Sequence, residues 1–211
     1  MFSVIFDMDG TLLDTQRICI PAWDYAGKKQ GYENMGRFIP ELCGMNQPAI
    51  EKFLNENFPN IDAKLLWEDS KEYIIKNLTV RFKDGAKELL DYLKNRGIKI
   101  GLATGTSRPS TLHHLNAVGA VDYFDASICG PEIENGKPAP DIFLKVAELL
   151  GVKPETCFVF EDSQNGIIAA HAAGMKAIGI PDIAHFSNET KSLMYCELKS
   201  LHEAIEIFDK M

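Results

Sequence analysis

Short apolar runs rich in β-branched and aromatic residues alternate along most of this chain with helical patterns that close on glycine, and that alternation limits the fold more than any other feature. The first run is Val4-Ile5-Phe6. It is unbroken rather than alternating with polar residues, so it reads as a strand buried on both faces, as in a parallel sheet. From Asp84 onward the unit repeats. Asp84 stands where it can N-cap a helix carrying Ala86, Leu89, Leu90 and Leu93 on one face; Gly97 closes it and a strand follows over 98–103. A helix after Pro109 with Leu112, Leu115 and Val118 ends at Gly119, before a strand at 126–129. Ile142, Phe143, Val146, Leu149 and Leu150 make another helix up to Gly151, followed by a strand at 157–160. A helix over 167–173 ends at Gly174, a strand covers 176–180, and 201–208 reads as a last amphipathic helix. Strand and helix in alternation with short links predict an α/β fold built on a doubly wound, Rossmann-like parallel sheet.

Between Thr15 and Leu78 the period changes. Ile18, Ala22, Tyr25 and Ala26, then Leu42, Ile50, Phe53 and Leu54, then Leu65, Leu66, Tyr73, Ile74 and Leu78 recur at helical spacing, with no strand pattern among them. Pro21 falls inside the first pattern, so that helix begins near it or kinks at it. Gly31, residues 37–40, Gly44 with Pro48, and Pro59-Asn60 divide the segment into short helices. The layout expected is a core from residues 1–15 and 81–211, with an α-helical cap domain, 16–80, inserted after the first strand. A length of 211 residues with 45% hydrophobic content suffices for one substantial core and a smaller inserted unit.

Charge and cysteine usage narrow the surroundings. A net charge of -8 argues against nucleic-acid or anionic-membrane partners. The five cysteines, Cys19, Cys43, Cys129, Cys157 and Cys196, are odd in number, scattered and without a Cys-x-x-Cys pair, which suits neither a disulfide framework nor a zinc site. The N-terminus has no basic region and meets Asp7 before a signal-length apolar stretch can form, and nothing later approaches a membrane span. A cytoplasmic protein, monomeric or weakly oligomeric, is expected.

Chemistry gathers where the apolar runs stop. The first ends at Asp7, with Asp9 two residues on and Gly10 allowing a sharp turn, so two carboxylates stand at the rim where open α/β sheets bind ligands. Like charges that close need an offset, and a hard cation such as Mg²⁺, which takes oxygen ligands, is the usual one. Ordinary turn acids are the plain alternative. The second core strand runs into Thr104-Gly105-Thr106-Ser107-Arg108, where free backbone N–H groups at a helix N-terminus form an anion seat, or where Thr106 or Ser107 caps the helix. Lys137 lies in Gly136-Lys137-Pro138-Ala139-Pro140; it is either a solvated loop lysine or a positive charge that keeps Asp7 ionised before an anionic substrate. Phe158-Val159-Phe160 ends at Glu161-Asp162, and Asp162 or Ser163 can also cap the next helix.

The string Asp7-Met8-Asp9-Gly10-Thr11-Leu12-Leu13-Asp14-Thr15, Thr104, the Gly-Lys-Pro-x-Pro string and Glu161-Asp162 follow one another in the order of four motifs that this chain shares with the haloacid dehalogenase superfamily, whose β-phosphoglucomutase and phosphatase subgroup it resembles most. The resemblance implies a nucleophilic Asp7, and an Asp9 that is general acid/base and offers its backbone carbonyl to Mg²⁺. It implies that Thr104 and Lys137 bind the transferred phosphoryl group, with Gly105 and Thr106 beside them. Asp162 is then a direct metal ligand, and Glu161 a ligand directly or through water. The reading is a Mg²⁺-dependent phosphatase of small phosphorylated metabolites, such as sugar phosphates, working through an aspartyl-phosphate.

Some positions depart from the mutase pattern. β-Phosphoglucomutases carry an acid and a histidine shortly after the Asp-Thr pair, where this chain has Gln16 and Cys19, and a cap arginine where it has Gln47 in Gly44-Met45-Asn46-Gln47. A mutase must hold a sugar with two phosphates, and those changes remove expected groups. The rivals are therefore a phosphosugar mutase, a carbon–halogen hydrolase, which would not need Asp9, and an inactive regulatory or binding member, which would have lost a motif acid. His113 and His114 are expected to be surface or structural, and Trp23, Tyr25 and Tyr32 to pack the cap rather than line a substrate face.

Overall fold

The structure, a computed structural model, describes residues 2–42 and 47–210. Strand β1 (Ser3–Phe6) is followed by helices α1 (Cys19–Lys29), α2 (Ile39–Leu42), α3 (Gln47–Asn57) and α4 (Ala63–Asn77). Then come α5 (Ala86–Asn95), β2 (Ile100–Thr104), α6 (Arg108–Ala117), β3 (Ala126–Cys129), α7 (Asp141–Leu150), β4 (Cys157–Glu161) and α8 (Gln164–Ala172). The chain finishes with β5 (Lys176–Gly179), α9 (Asn188–Ser192), β6 (Cys196–Glu197) and α10 (His202–Phe208). The strands form one parallel sheet in the order β3-β2-β1-β4-β5-β6, the doubly wound α/β arrangement expected. β1 lies at its middle, with Phe6 level with Leu102 on one side and Phe160 on the other.

Successive strand residues point to opposite faces, and each face has its own core. Val4, Phe6, Leu102, Phe158 and Phe160 pack with Leu89 and Leu93 of α5 and Phe208 of α10. Ile5, Ala103 and Val159 pack with Phe143 and Val146 of α7 and Ile167 of α8. Each such side chain, taken fully out of water, contributes roughly 1.5–3 kcal/mol before entropy is counted. Gly101 makes one of these layers fit: a Cβ there would stand 2.4 Å from Val146 Cγ1, so only glycine lets α7 lie this close to β2.

Three local expectations need correction. Gly85, with φ +77°, occupies the N-cap of α5 in place of Asp84, and no side chain caps that end. β2 begins at Ile100, because Ile98 still belongs to the turn that leaves α5 through Gly97. β6 was not expected; two residues at the sheet's edge are too few to make a periodic signal.

Contacts divide the chain into two compact units, Met1–Asp14 with Val80–Met211, and Thr15–Thr79. In the second, α1 packs along α4, with Trp23 and Trp67 edge to face at 5.9 Å between centroids. Pro21 is the third residue of α1, where no intrahelical donor is needed, so the helix starts near it without a kink. Asp62 caps α4 by accepting from Leu65 N at 3.0 Å. Tyr32 packs edge-on to Phe58, and Tyr25 lies against Tyr73 with its ring partly exposed. Trp67, Ile74, Cys19, Trp23, Ser70 and Lys71 line a cavity of about 390 Å³ in this unit. Gly44, Met45 and Asn46 lie outside the described residues, and Gln47 opens α3.

Candidate active site

The carboxyl ends of β1 and β4, neighbours in the sheet, deliver Asp7, Glu161 and Asp162 side by side, all buried. Asp7 N continues the ladder, donating to Phe160 O at 3.0 Å. Beyond it Gly10, at φ +85°, turns the chain back. Leu12 N and Leu13 N both donate to Met8 O, and Leu13 pairs with Phe82 in an isolated antiparallel bridge, which fixes the rim on which Asp9 stands. Thr11 supplies a tie that the motif string alone did not reveal: its hydroxyl donates to Asp162 Oδ1 at 3.1 Å.

Lys137 enters from the loop before α7. Its Nζ donates to Asp7 Oδ1 at 2.5 Å, to Glu161 Oε1 at 2.6 Å and to Ala103 O at 3.1 Å, and it lies 5.0 Å from the Phe143 ring centre. The reading of Lys137 as a solvated loop residue is therefore excluded. Burial pulls its pKa down, but Asp7 and Glu161 outweigh that and raise it, so the ammonium is permanent. Glu161 Oε2 is also engaged, accepting from Ser163 N and Ser163 Oγ, each at 2.9 Å. Ser163 in turn caps α8 by accepting from Gly166 N at 3.0 Å, which leaves the capping task to Ser163 rather than Asp162.

Asp9 stands apart from that cluster and faces α6. Its Oδ2 accepts from Thr106 Oγ1 at 2.6 Å and lies 3.4 Å from Thr104 Oγ1, while Thr106 N donates to Thr104 Oγ1 at 3.1 Å. Thr106 is thus a partner of Asp9. Ser107 holds the N-cap position of α6 without making a side-chain cap; its hydroxyl points to Ser110 instead. Gly105 lies beneath the loop that follows β3, where a Cβ on Gly130 would meet Gly105 O at 2.4 Å. Arg108 is spent on Glu132 and Ser127 and is not available to an anion.

Electrostatically the cluster is short of positive charge. Burial raises the Asp7 carboxyl well above the usual range, more than Lys137 offsets, with Glu161, Asp162 and Asp9 adding to the rise. Burial likewise pushes Asp162 up to about 8, with Glu161 beside it. A hard cation fits this donor set: Asp7 and Asp162 offer carboxylate oxygens in an acid-rich, buried position with one ammonium between three acids. Among the described residues no three His, Cys, Asp or Glu side chains form a ready-made metal cluster.

Residues 4–180 match the haloacid dehalogenase-like hydrolase family. The chain belongs to the haloacid dehalogenase-like hydrolases. Among these hydrolases, a phosphorylated carbohydrates phosphatase of Thermotoga maritima is 33% identical over 217 residues, covering 99% of this chain and 97% of the relative. A fructose-1-phosphate phosphatase of Escherichia coli is 33% identical over 181 residues, covering 84% of this chain and 95% of the relative. The solved structure of a β-phosphoglucomutase from Clostridium difficile, 25% identical, matches with a TM-score of 0.78 and covers 100% of this chain and 96% of that one. This haloacid dehalogenase-like hydrolase is therefore similar both to phosphatases and to a phosphomutase.

Proposed function

We propose that this chain is a Mg²⁺-dependent phosphatase that hydrolyses a small phosphorylated metabolite, a sugar phosphate in the first instance, through an aspartyl-phosphate on Asp7. The observation that carries the proposal is the buried Asp7 at the end of the central strand, one oxygen gripped by Lys137 and with Asp9 two residues away on a rigid turn. In the reaction Asp7 attacks phosphorus in line with the leaving oxygen. Asp9 protonates that oxygen and then takes the proton of the water that hydrolyses the acyl phosphate. Lys137 and the Thr104 hydroxyl stabilise the charge on the transferred group, the larger part of what phosphoryl transfer requires. Asp7, Asp162 and the backbone carbonyl of Asp9 would hold Mg²⁺, which supplies further positive charge for the phosphoryl oxygens and the acids. Glu161, with protein donors on both oxygens, acts by holding Lys137 and would contribute its negative charge to a cation beside it.

The substrate class rests on the phosphatase relatives and on the helical unit. Its cavity is walled by Trp23 and Trp67, and Trp67 Nε1 and Ser70 Oγ are buried there without a hydrogen-bond partner. Flat aromatic walls with unpaired polar atoms suit the hydroxylated body of a sugar. The mutase is the second reading, favoured by its structural likeness; against it stands Cys19, which lines this cavity and occupies the position at which the resemblance to mutases implies a histidine.

Two measurements test the proposal. Phosphate release over a panel of phosphorylated metabolites should identify a monophosphate that turns over without any bisphosphate present. ³¹P NMR with β-glucose 1-phosphate and a trace of glucose 1,6-bisphosphate should show free phosphate; catalytic conversion to glucose 6-phosphate with little free phosphate would make the protein a mutase.

A further inference from the structure

A second lysine reaches the acid-rich end of the sheet. Lys83 Nζ donates to Asp182 Oδ1 at 2.5 Å; the lysine side chain is largely buried and that of Asp182 wholly so. The pair closes a ring of bonds that runs through Asp162. Ile180, two residues before Asp182, donates its N–H to Glu161 O at 2.7 Å, so the Asp182 loop is tied to the residue next to Asp162. At the other end Lys83 N donates to Leu12 O at 2.9 Å, and the hydroxyl of Thr11, one residue earlier, donates to Asp162 Oδ1. Lys83 O accepts from Ala86 N at the start of α5, which anchors the lysine's own backbone. Apart from the Thr11 hydroxyl and the ion pair, the ring is backbone. A buried ion pair gains little stability over an apolar pair of the same volume; this one joins the turn that carries Thr11 to the loop after β5.

We propose that Lys83 is a positioning residue for Asp162: through its ion pair with Asp182 it fixes residues 11–13 against the end of β4, so that the Thr11 hydroxyl keeps the Asp162 carboxylate in one orientation. The inference rests on the reading of Asp162 as a Mg²⁺ ligand. Carboxylates that hold a metal are themselves oriented by hydrogen bonds, and loss of such a partner costs roughly 10–100-fold in metal affinity or activity. Thr11 orients Asp162 only as well as its own turn is placed. Backbone contacts of Leu12 with Lys83 and of Leu13 with Phe82 join that turn to residues 82–83, and the ion pair joins both to the β5 loop. Asp182 is near enough for its charge to help raise the Asp162 carboxyl, so a shift of that loop is felt at Asp162. A role through charge alone has the opposite sign: with one ammonium fewer, the site would be more negative and hold Mg²⁺ more tightly. Lys83 touches neither substrate nor metal in this account.

The test is calorimetric titration of Mg²⁺ into the chelator-treated full chain, with melting temperature as the check on folding. The proteins compared are wild type, Asp162→Asn, Lys83→Met, Thr11→Val and the variant carrying both Lys83→Met and Thr11→Val. Each of Lys83→Met and Thr11→Val should weaken Mg²⁺ binding about tenfold. The double variant should bind no more than about twofold weaker than the worse single, because both changes break one chain of contacts. A lysine that served stability alone would lower the melting temperature and leave the Mg²⁺ affinity of the folded protein unchanged. That result overturns the inference, as do tighter Mg²⁺ binding in Lys83→Met and losses that multiply in the double variant, which would mean that Lys83 does not act through Thr11. If Lys83→Met does not fold, Lys83→Gln, shorter than lysine and without charge, carries the same comparison. Asp162→Asn separates the two levels: wild-type affinity there makes the metal reading wrong, whereas weak binding by Asp162→Asn beside wild-type affinity in Lys83→Met sinks only the role of Lys83.

Discussion

Gly166 lies so close to Glu161 that a Cβ there would fall 1.9 Å from the Glu161 carboxylate. The first turn of α8 and the last residue of β4 therefore share one volume, and glycine is what lets the acid reach back to Ser163 and Lys137. Gly166→Ala should push Glu161 off Lys137. Overpacking of this kind costs about 1–3 kcal/mol, which for a chain of this size lowers the melting temperature by roughly 2–4 °C per kcal/mol. Phosphatase kcat should fall with it, while Gly136→Ala, on a site where a Cβ meets nothing, should leave the melting temperature within a degree or so. Calorimetry and phosphate release on both variants check this; unchanged values for Gly166→Ala would mean that Glu161 has another place to go.

Lys137 links two buried acids, and Lys137→Met leaves them without a cation. Breaking a buried pair from one side costs on the order of 3–5 kcal/mol. The raised Lys137 pKa means that its contribution is fully present below the unfolded value of about 10.4 and constant through neutral pH. The deficit in Lys137→Met then follows the acids: with the Asp7 carboxyl raised in the fold, it should shrink as pH is lowered and Asp7 takes up a proton. Urea melts of metal-free protein at several pH values measure it; a deficit that grows on acidification would contradict the assignment.

Metal and pH are coupled through Asp162. Its carboxyl is held at about 8 in the metal-free fold, above the unfolded value of about 3.9. The protonated form therefore adds stability that is complete below the unfolded value and lost as pH rises through 8. Metal-free protein should lose stability over that window, and Asp162→Asn should flatten the profile. Mg²⁺ competes with that proton, so the gain in melting temperature on adding Mg²⁺ should increase from pH 6 to pH 8. Activity should vanish in chelator and return with Mg²⁺, and Ca²⁺ should suppress it, because Ca²⁺ takes more oxygen ligands at longer range and can occupy both Asp7 oxygens. Full turnover in chelator, or with Ca²⁺ alone, would contradict the metal assignment.

The parallel sheet was legible because buried strands and glycine-closed helices leave strong periodic marks, as Val4-Ile5-Phe6 and the helix ending at Gly151 show. Lys137 is the instructive case: from the residues alone it reads as a loop lysine, and only a sheet that brings residues 7, 137 and 161 together explains it. His114 was read as surface or structural, because nothing in a helical pattern says that Asp9, 105 residues earlier, will stand at its Nδ1. Thr106 and Ser107 were read as alternative caps; the hydroxyl preference that makes such residues good caps also makes them good partners for a carboxylate, and Asp9 won Thr106. The cavity beside Trp67 was equally hidden, since a tryptophan at helical spacing gives no sign that its N–H will go unpaired.

The most direct test of the central claim is turnover by Asp7→Asn, which removes the nucleophile and keeps its shape. With Lys137 still paired to Glu161, and one acid fewer in a charge-crowded site, the melting temperature should hold or rise. The kcat for phosphate release should fall by more than about a thousandfold. A folded Asp7→Asn protein that releases phosphate at a near-normal rate would contradict the covalent mechanism.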